Sequence, residues 1–219
     1  TVVSSSEMQC DGVVAETIKG DKNAVKLAKK FNGKEIKATF IYKELNFVWR
    51  AILRNDSHYL RTELEISTTA DTEFKEIVAM NYSLKENNQT PEIIGNTRGS
   101  LLVNNTFFAG LETPMGINEV IKTPSETTIQ GKWNRSATLK SGEIWKISSV
   151  IGLIAKNQQR RSFLAYHERE RAVPWRSFIH YNSWYELNID RNNVIDQRKS
   201  KDDCLAVIEA WKKNLFDPY

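Results

Sequence analysis

The stretch RRSFLAYHERERAVPWRSFIHYNSWYEL, Arg160 to Leu187, is the one on which the reading of this chain turns. It carries His167 and His180, two of the three histidines, and Trp175 and Trp184, two of the six tryptophans. It opens in strand-like alternation, passes through the charge cluster HERER (167–171) and a turn at Pro174, and ends in the aromatic run FIHYNSWY. Almost everything before it patterns as an all-β domain. After it the pattern becomes strand, polar loop and helix.

Upstream, the apolar period is two. Glu35–Tyr42, Phe47–Arg54, Tyr59–Thr68 and Glu73–Tyr82 read as strands. Asn55-Asp56-Ser57 between the second and third is a turn, because short polar side chains bond back to their own backbone. Ser100–Val103, Thr106–Ala109, Thr127–Trp133, Ser136–Leu139 and Ile144–Ile154 give further strands, with a turn at Lys140-Ser141-Gly142. Several short strands with polar turns predict a two-sheet antiparallel sandwich over about residues 34 to 170. Residues 1 to 20 are weakly patterned. Asp21–Phe31 fits either a short helix or a loop, and Phe108–Gly116 (FAGLETPMG) reads as a loop.

Downstream, Ser177–Tyr181 reads as a compact aromatic strand and 190–200 as a polar loop. Asp202–Trp211 has apolar residues at 204, 205, 207, 208 and 211, a helical stripe. Acids in its first turn and Lys212-Lys213 in its last complement the helix dipole.

Composition narrows the classes of function. The 219 residues suffice for a real core, and 40% hydrophobic with 26% charged is ordinary for a soluble globular protein. The net charge of +4 is mild, and the basic residues are interleaved with acids, without a block of the kind that tracks a phosphate backbone. No apolar run approaches the ~20 residues of a membrane span. Gly131-Lys132 lacks the rest of a phosphate loop. Cys10 and Cys204 read as unpaired thiols, and neither the cysteines nor the histidines have metal-ligand spacing. A first residue of Thr1 fits a chain whose leader has been removed. Five sequons, at Asn55, Asn81, Asn88, Asn104 and Asn134, are matches that an Asn- and Thr/Ser-rich chain produces by chance.

The segments TFFAGLETPMG (106–116), GEIWKISSVIGLIAKNQQRRSFLAYHERERAVPWRSFIHYNSWYEL (142–187) and the helix at 202–214 together resemble the beginning of an α-galactosidase-like glycoside hydrolase, of the family 36-like branch found in carbohydrate-degrading bacteria. The resemblance runs from about Phe107 to Tyr185 and is loose before Lys34. It implies a mainly β fold: a galactose-mutarotase-like β-supersandwich over 1–173, followed from 174 to 219 by the first βα unit of a (β/α)8 barrel. HYNSWY then resembles the first barrel strand and the helix after it the first barrel helix. The resemblance further implies a retaining α-glycosidase of periplasmic or secreted location, with no cofactor. Its partners are then a carbohydrate substrate and the remainder of the barrel. Retention needs two carboxyl groups, one attacking and one protonating. The family carries them as aspartates on later barrel strands, at positions this sequence does not contain.

On that reading Asn182, Trp184 and Tyr185 lie at the end of a barrel strand that faces substrate. Trp184 can stack on the apolar face of a sugar and Asn182 can bond a hydroxyl; the plainer alternative is that Trp184 and Tyr185 pack the strand end. HERER reads more simply as an ion-paired or solvated strand edge than as acid–base chemistry, despite its histidine. His58 reads as an exposed turn residue. Glu112 and Met115 read as structural, and Trp133, Trp145, Trp175 and Trp211 as core or interdomain packing. The competing functions are a free-standing β-sandwich carbohydrate-binding module and a structural interaction domain.

Overall fold

The computed structural model describes residues 2–85, 89–177, 180 and 201–217. It contains two compact units, Thr1–Trp175 and Arg176–Tyr219. Among the described residues the first holds eleven strands: β1 (Gln9–Ile18), β2 (Gly33–Tyr42), β3 (Leu45–Arg54), β4 (Tyr59–Thr68), β5 (Thr72–Leu84), β6 (Glu92–Ile94), β7 (Leu101–Val103), β8 (Phe107–Leu111), β9 (Ile117–Lys122), β10 (Thr127–Leu139) and β11 (Ile144–Leu153). Helix α1 (Gln159–Glu170) follows.

The strands form an eight-stranded sheet, β1-β2-β3-β4-β11-β8-β7-β6, and a three-stranded sheet, β5-β10-β9, with antiparallel pairings throughout. Their inner faces share one core, so the architecture is a β-sandwich. Phe47, Ile66, Trp145, Ile147, Leu102, Phe107, Ala109 and Leu111 of the large sheet pack with Ile77, Met80, Ile129 and Leu139 of the small one. Period-two alternation causes this arrangement. In β4 the even residues face the core, while Tyr59, Arg61, Glu63 and Glu65 face the other way. That outer face carries a ladder of charges: Glu35 and Glu65 flank Arg50 at 3.5 and 3.1 Å, and Lys146 reaches Glu65 at 2.8 Å. Buried Asn118 of β9 ties the sheets together: its Oδ1 accepts from Leu111 N–H (2.9 Å) and its Nδ2 donates to the Ser100 carbonyl (3.0 Å).

Several sequence expectations are corrected. Residues 160–170 are helical, not a strand, and the sandwich ends at Leu153. From Gln158 to Arg171 there is no β-branched residue, and the segment is rich in Gln, Arg, Leu, Ala and Glu, all good helix formers. β1, β6 and β9 had no clear signal. β1 is exposed over nearly its whole length, so neither face had to be apolar. β8 runs on to Leu111 inside the stretch read as a loop, and all five of its residues are buried. The two segments at 127–133 and 136–139 are one strand, β10, with an irregularity between Asn134 and Ala137 where Ser136 takes φ 40°. In Asp21–Phe31 only a 3-10 turn forms, at Leu27–Lys30.

The second unit contains α2 (Lys201–Trp211), continued by a wider turn at Lys212–Phe216. The helical stripe at 204–211 predicted it. Among the described residues no barrel is formed and no helix is long and apolar enough to cross a membrane.

Candidate functional site

Part of the outer face of the large sheet is not left to water. A second apolar cluster lies there, made of Tyr59, Phe108, Val150, Ile154 and Tyr166, with Val103 and Phe163 against it. Helix α1 supplies Tyr166 and Phe163, which sit at helical spacing on its inner side. Phe108 is fully buried and meets both rings at 5.5 and 5.6 Å. Gly152 of β11 makes room for it: a Cβ there would lie 2.1 Å from the Phe108 ring.

Around this cluster sits a half-buried ionic network. Arg61 of β4 grips Glu112, just after β8: its Nε donates to Oε1 (2.9 Å) and its Nη2 to Oε2 (2.6 Å). This two-point contact matches the planar guanidinium to the carboxylate. The Tyr166 hydroxyl donates to Glu112 Oε1 at 2.6 Å, and Arg61 Nη1 donates to Glu63 at 3.1 Å. At the end of α1, Glu170 Oε1 accepts from the Tyr59 hydroxyl (2.8 Å). Its other oxygen lies 2.6 Å from Lys26 Nζ and 3.5 Å from Arg61 Nε, close but out of line for a hydrogen bond, so charge alone holds it. Side-chain exposures of 15% for Arg61, 12% for Glu112 and 8% for Glu170 place the network well inside the surface.

Burial alone would raise the Glu112 carboxyl, but the hydrogen bonds and charge of Arg61, with the Tyr166 hydroxyl, outweigh it and hold Glu112 below its ordinary range. Burial, with the neighbouring carboxylates Glu170 and Glu112 respectively, pushes Tyr59 and Tyr166 up, so both remain neutral donors. Burial pulls Arg61 down, but its bonds to Glu112 and the surrounding acids outweigh it and hold it above its ordinary value.

Arg169 completes the clamp. Its guanidinium lies 4.0 Å from the Phe31 ring centroid and donates to the carbonyls of Asn55 (2.9 Å) and Asp56 (3.0 Å). His58 is not the free turn residue expected. Its Nε2 lies 2.9 Å from the Ser162 carbonyl, which can only accept, so Nε2 carries the proton.

Chemically this is a clasp. Glycoside hydrolysis needs one carboxyl that can give a proton and another free to attack or activate water. Here Glu112 and Glu170 converge on one guanidinium, each also accepting a hydrogen bond from a tyrosine hydroxyl. The structural reading of Glu112 therefore stands. HERER is ion-paired as expected, though on a helix end and not a strand edge: Arg169 and Glu170 turn inward, while His167 and Glu168 are exposed. Trp133 and Trp145 pack at the core end, with Arg135 over both rings at 4.4 and 4.5 Å. Trp175 is 72% exposed, and Cys10 and Cys204 are free and exposed. Asn182, Trp184 and Tyr185, the expected substrate-binding residues, lie outside the described residues, as does most of the expected strand Ser177–Tyr181. Among the described residues no group of acidic, histidine or cysteine side chains could hold a metal. Sequence reasoning missed Lys26, Tyr59 and Arg61. The one available signal was a tyrosine and an arginine on the otherwise acidic face of β4.

No protein-family model and no curated protein matches the chain. Among solved structures it is distantly similar to a GH36 α-galactosidase from Geobacillus stearothermophilus (6% identity, TM-score 0.39, 71% of this chain and 28% of that one). A heparan sulfate lyase from Pedobacter heparinus (10%, 0.38, 66% and 22%) and a putative kojibiose phosphorylase from the human microbiome (10%, 0.38, 64% and 22%) are at similar distance. The chain spans less than a third of the length of each.

Proposed function

We propose that this chain is the non-catalytic N-terminal portion of a glycoside hydrolase acting on α-galactoside-like glycans. Its supersandwich supports a (β/α)8 barrel and helps shape the pocket entrance. The observation that carries the reading is the clasp. The sequence stretch with the family resemblance includes Arg169 and Glu170, and these are the residues that fix the end of α1 to the sandwich. The chain therefore leaves the sandwich at a defined point, immediately before the segment that resembles the first barrel strand. Both carboxylates of the clasp are already bonded to Arg61 or tyrosine, so catalysis is left to the barrel.

Two measurements test this. The 219-residue chain should show no turnover of an aryl α-galactoside, whereas the protein extended through the whole reading frame should hydrolyse it with retention. In the extended protein Trp184→Ala should lower kcat/KM far more than it lowers the melting temperature. Turnover by the short chain, or an extended protein inert toward α-galactosides, would refute the reading. A Trp184 variant that unfolds readily but turns over normally when folded would show that residue to be packing only.

A further inference from the structure

The charge of the chain is not spread evenly. Residues 19–34 (KGDKNAVKLAKKFNGK) contain six lysines and one acid, Asp21, a net +5. The chain as a whole, with 31 basic and 27 acidic residues, is +4; the remaining 25 basic and 26 acidic residues therefore come to −1. This span, the connection between β1 and β2 with the first two residues of β2, carries more net positive charge than the whole chain.

The fold gathers these lysines. Asp21 N–H donates to the Lys29 carbonyl (2.9 Å) and Gly20 N–H to Asn32 Oδ1 (2.8 Å). A Cβ on Gly20 would stand 2.2 Å from the Lys30 carbonyl oxygen, so the two backbones touch there. Lys34 is in register with Thr17, and Ala28 is 3% exposed, so the middle of the loop is packed down. The backbones of 19–22 and 29–34 thus run side by side. Lys26 is spent inward on Glu170. Lys19, Lys22, Lys29, Lys30 and Lys34 are exposed, and among the described residues none forms an ion pair. The nearby acids are few: Asp21 accepts from Asn23 N–H in its own turn, Glu35 pairs with Arg50, and Glu16 stands opposite Glu35 on β1.

We infer that this loop is a docking surface for an acidic polysaccharide, one bearing carboxylate or sulfate groups along its length. Four unpaired ammonium groups on a fixed loop, those of Lys19, Lys22, Lys29 and Lys30, create a positive field that favours a polyanion. Lysine is a hydrated point charge without the planar fork of arginine, which suits groups spaced along a flexible polymer. Single-stranded nucleic acid fits less well. Phe31 is the sole aromatic in the loop and its ring is covered by Arg169, leaving no platform for stacked bases. A bilayer fits less well too, because Val25, at 60% exposure, is the single large apolar side chain of residues 19–32 left exposed, which is not a wedge. The choice of a glycan among polyanions rests on the glycan-processing reading above. The loop would hold an acidic polymer near the enzyme while the barrel acts on α-linked sugars.

The test is binding of the 219-residue chain to polygalacturonate, dextran sulfate and neutral dextran between about 50 and 200 mM salt. Duplex DNA and phosphatidylserine vesicles serve as comparison arms. The acidic glycans should bind, with affinity falling steeply with salt, and neutral dextran should not. The variant Lys22→Gln/Lys29→Gln/Lys30→Gln should lose about tenfold or more. The charge-matched control Lys85→Gln/Lys122→Gln/Lys156→Gln, also at exposed lysines, should change by less than about twofold. Equal loss in both variants, no binding to either acidic glycan, or tighter binding to DNA or vesicles would overturn the inference. Hydrolysis of an aryl α-galactoside by the extended protein is scored separately. Activity without glycan docking removes this inference alone, and docking without activity removes the enzymatic reading alone.

Discussion

Replacing Glu112 by Gln tests whether the clasp holds by charge. The substitution keeps the shape of the side chain and an acceptor for the Tyr166 hydroxyl, but leaves Arg61, 15% exposed, facing a neutral amide. Breaking a buried pair from one side typically costs about 3–5 kcal/mol, because the remaining charge stays desolvated. Arg61 keeps Glu63 at 3.1 Å and Glu170 at 3.5 Å, so the lower end applies, about 3 kcal/mol. For a unit of this size that is a fall in Tm of about 6–12 °C at pH 7. The sign of the pH dependence follows from Glu112, whose carboxyl is held below its ordinary 4.5 in the folded state. The unfolded chain binds this proton more readily, so the pair's contribution is fully present above the unfolded value and is lost as pH falls through the lower, folded one. The gap between parent and variant should therefore close in acid. Thermal melts followed by near-ultraviolet dichroism at pH 7 and in the acid range would measure it. The same gap at both pH values would mean lost packing and not lost charge; no gap at pH 7 would mean the pair contributes nothing. Arg61→Met/Glu112→Leu, which removes both charges, should be less destabilised than Glu112→Gln.

Three further outcomes are expected. Gly152→Ala drives a methyl into the fully buried Phe108 ring and should cost about 3 kcal/mol in denaturant titrations, with Phe108→Leu restoring part of it. Arg169→Ala should speed amide hydrogen exchange across 160–171 while leaving β10 and β11 protected; uniform acceleration in all three would mean that the helix opens only with the whole sandwich. Asn104→Ala should cost about 2–3 kcal/mol, since Oδ1 accepts from Thr106 and Phe107 N–H and Nδ2 donates to the Gln89 carbonyl; the same burial should leave its sequon unmodified even in a glycosylating host.

Strands that hide one face were legible, because burial forces alternation: β2 to β5 and β11 came close to their true bounds. β1 was not legible, since almost every residue in it is exposed and no face is constrained. Helix α1 was misread for a related reason. It covers a small cluster with few apolar residues, so its pattern carried little period, and helix propensity was the better guide. Helix α2 has a continuous apolar stripe and was read correctly. The clasp could not be read at all. Arg61 is 51 residues from Glu112, and Tyr59 is 111 from Glu170, and nothing local in a sequence says which distant carboxylate an arginine will meet.

The β1–β2 connection shows why charge is hard to interpret before a fold is known. Spread along the sequence, its lysines looked like part of an interleaved, mildly basic chain. Folded, the loop divides them by role. Lys26 faces inward and joins Phe31 in holding the end of α1, through Glu170 and Arg169 respectively. Lys19, Lys22, Lys29 and Lys30 lie exposed on the same loop, and among the described residues none of them forms an ion pair. Removing Lys26 would therefore loosen the clasp from which the chain leaves the sandwich, whereas removing Lys22, Lys29 and Lys30 would strip the outer charge and leave α1 in place. The two effects separate because burial, and not position along the chain, decides whether a lysine is spent on folding or left for a partner.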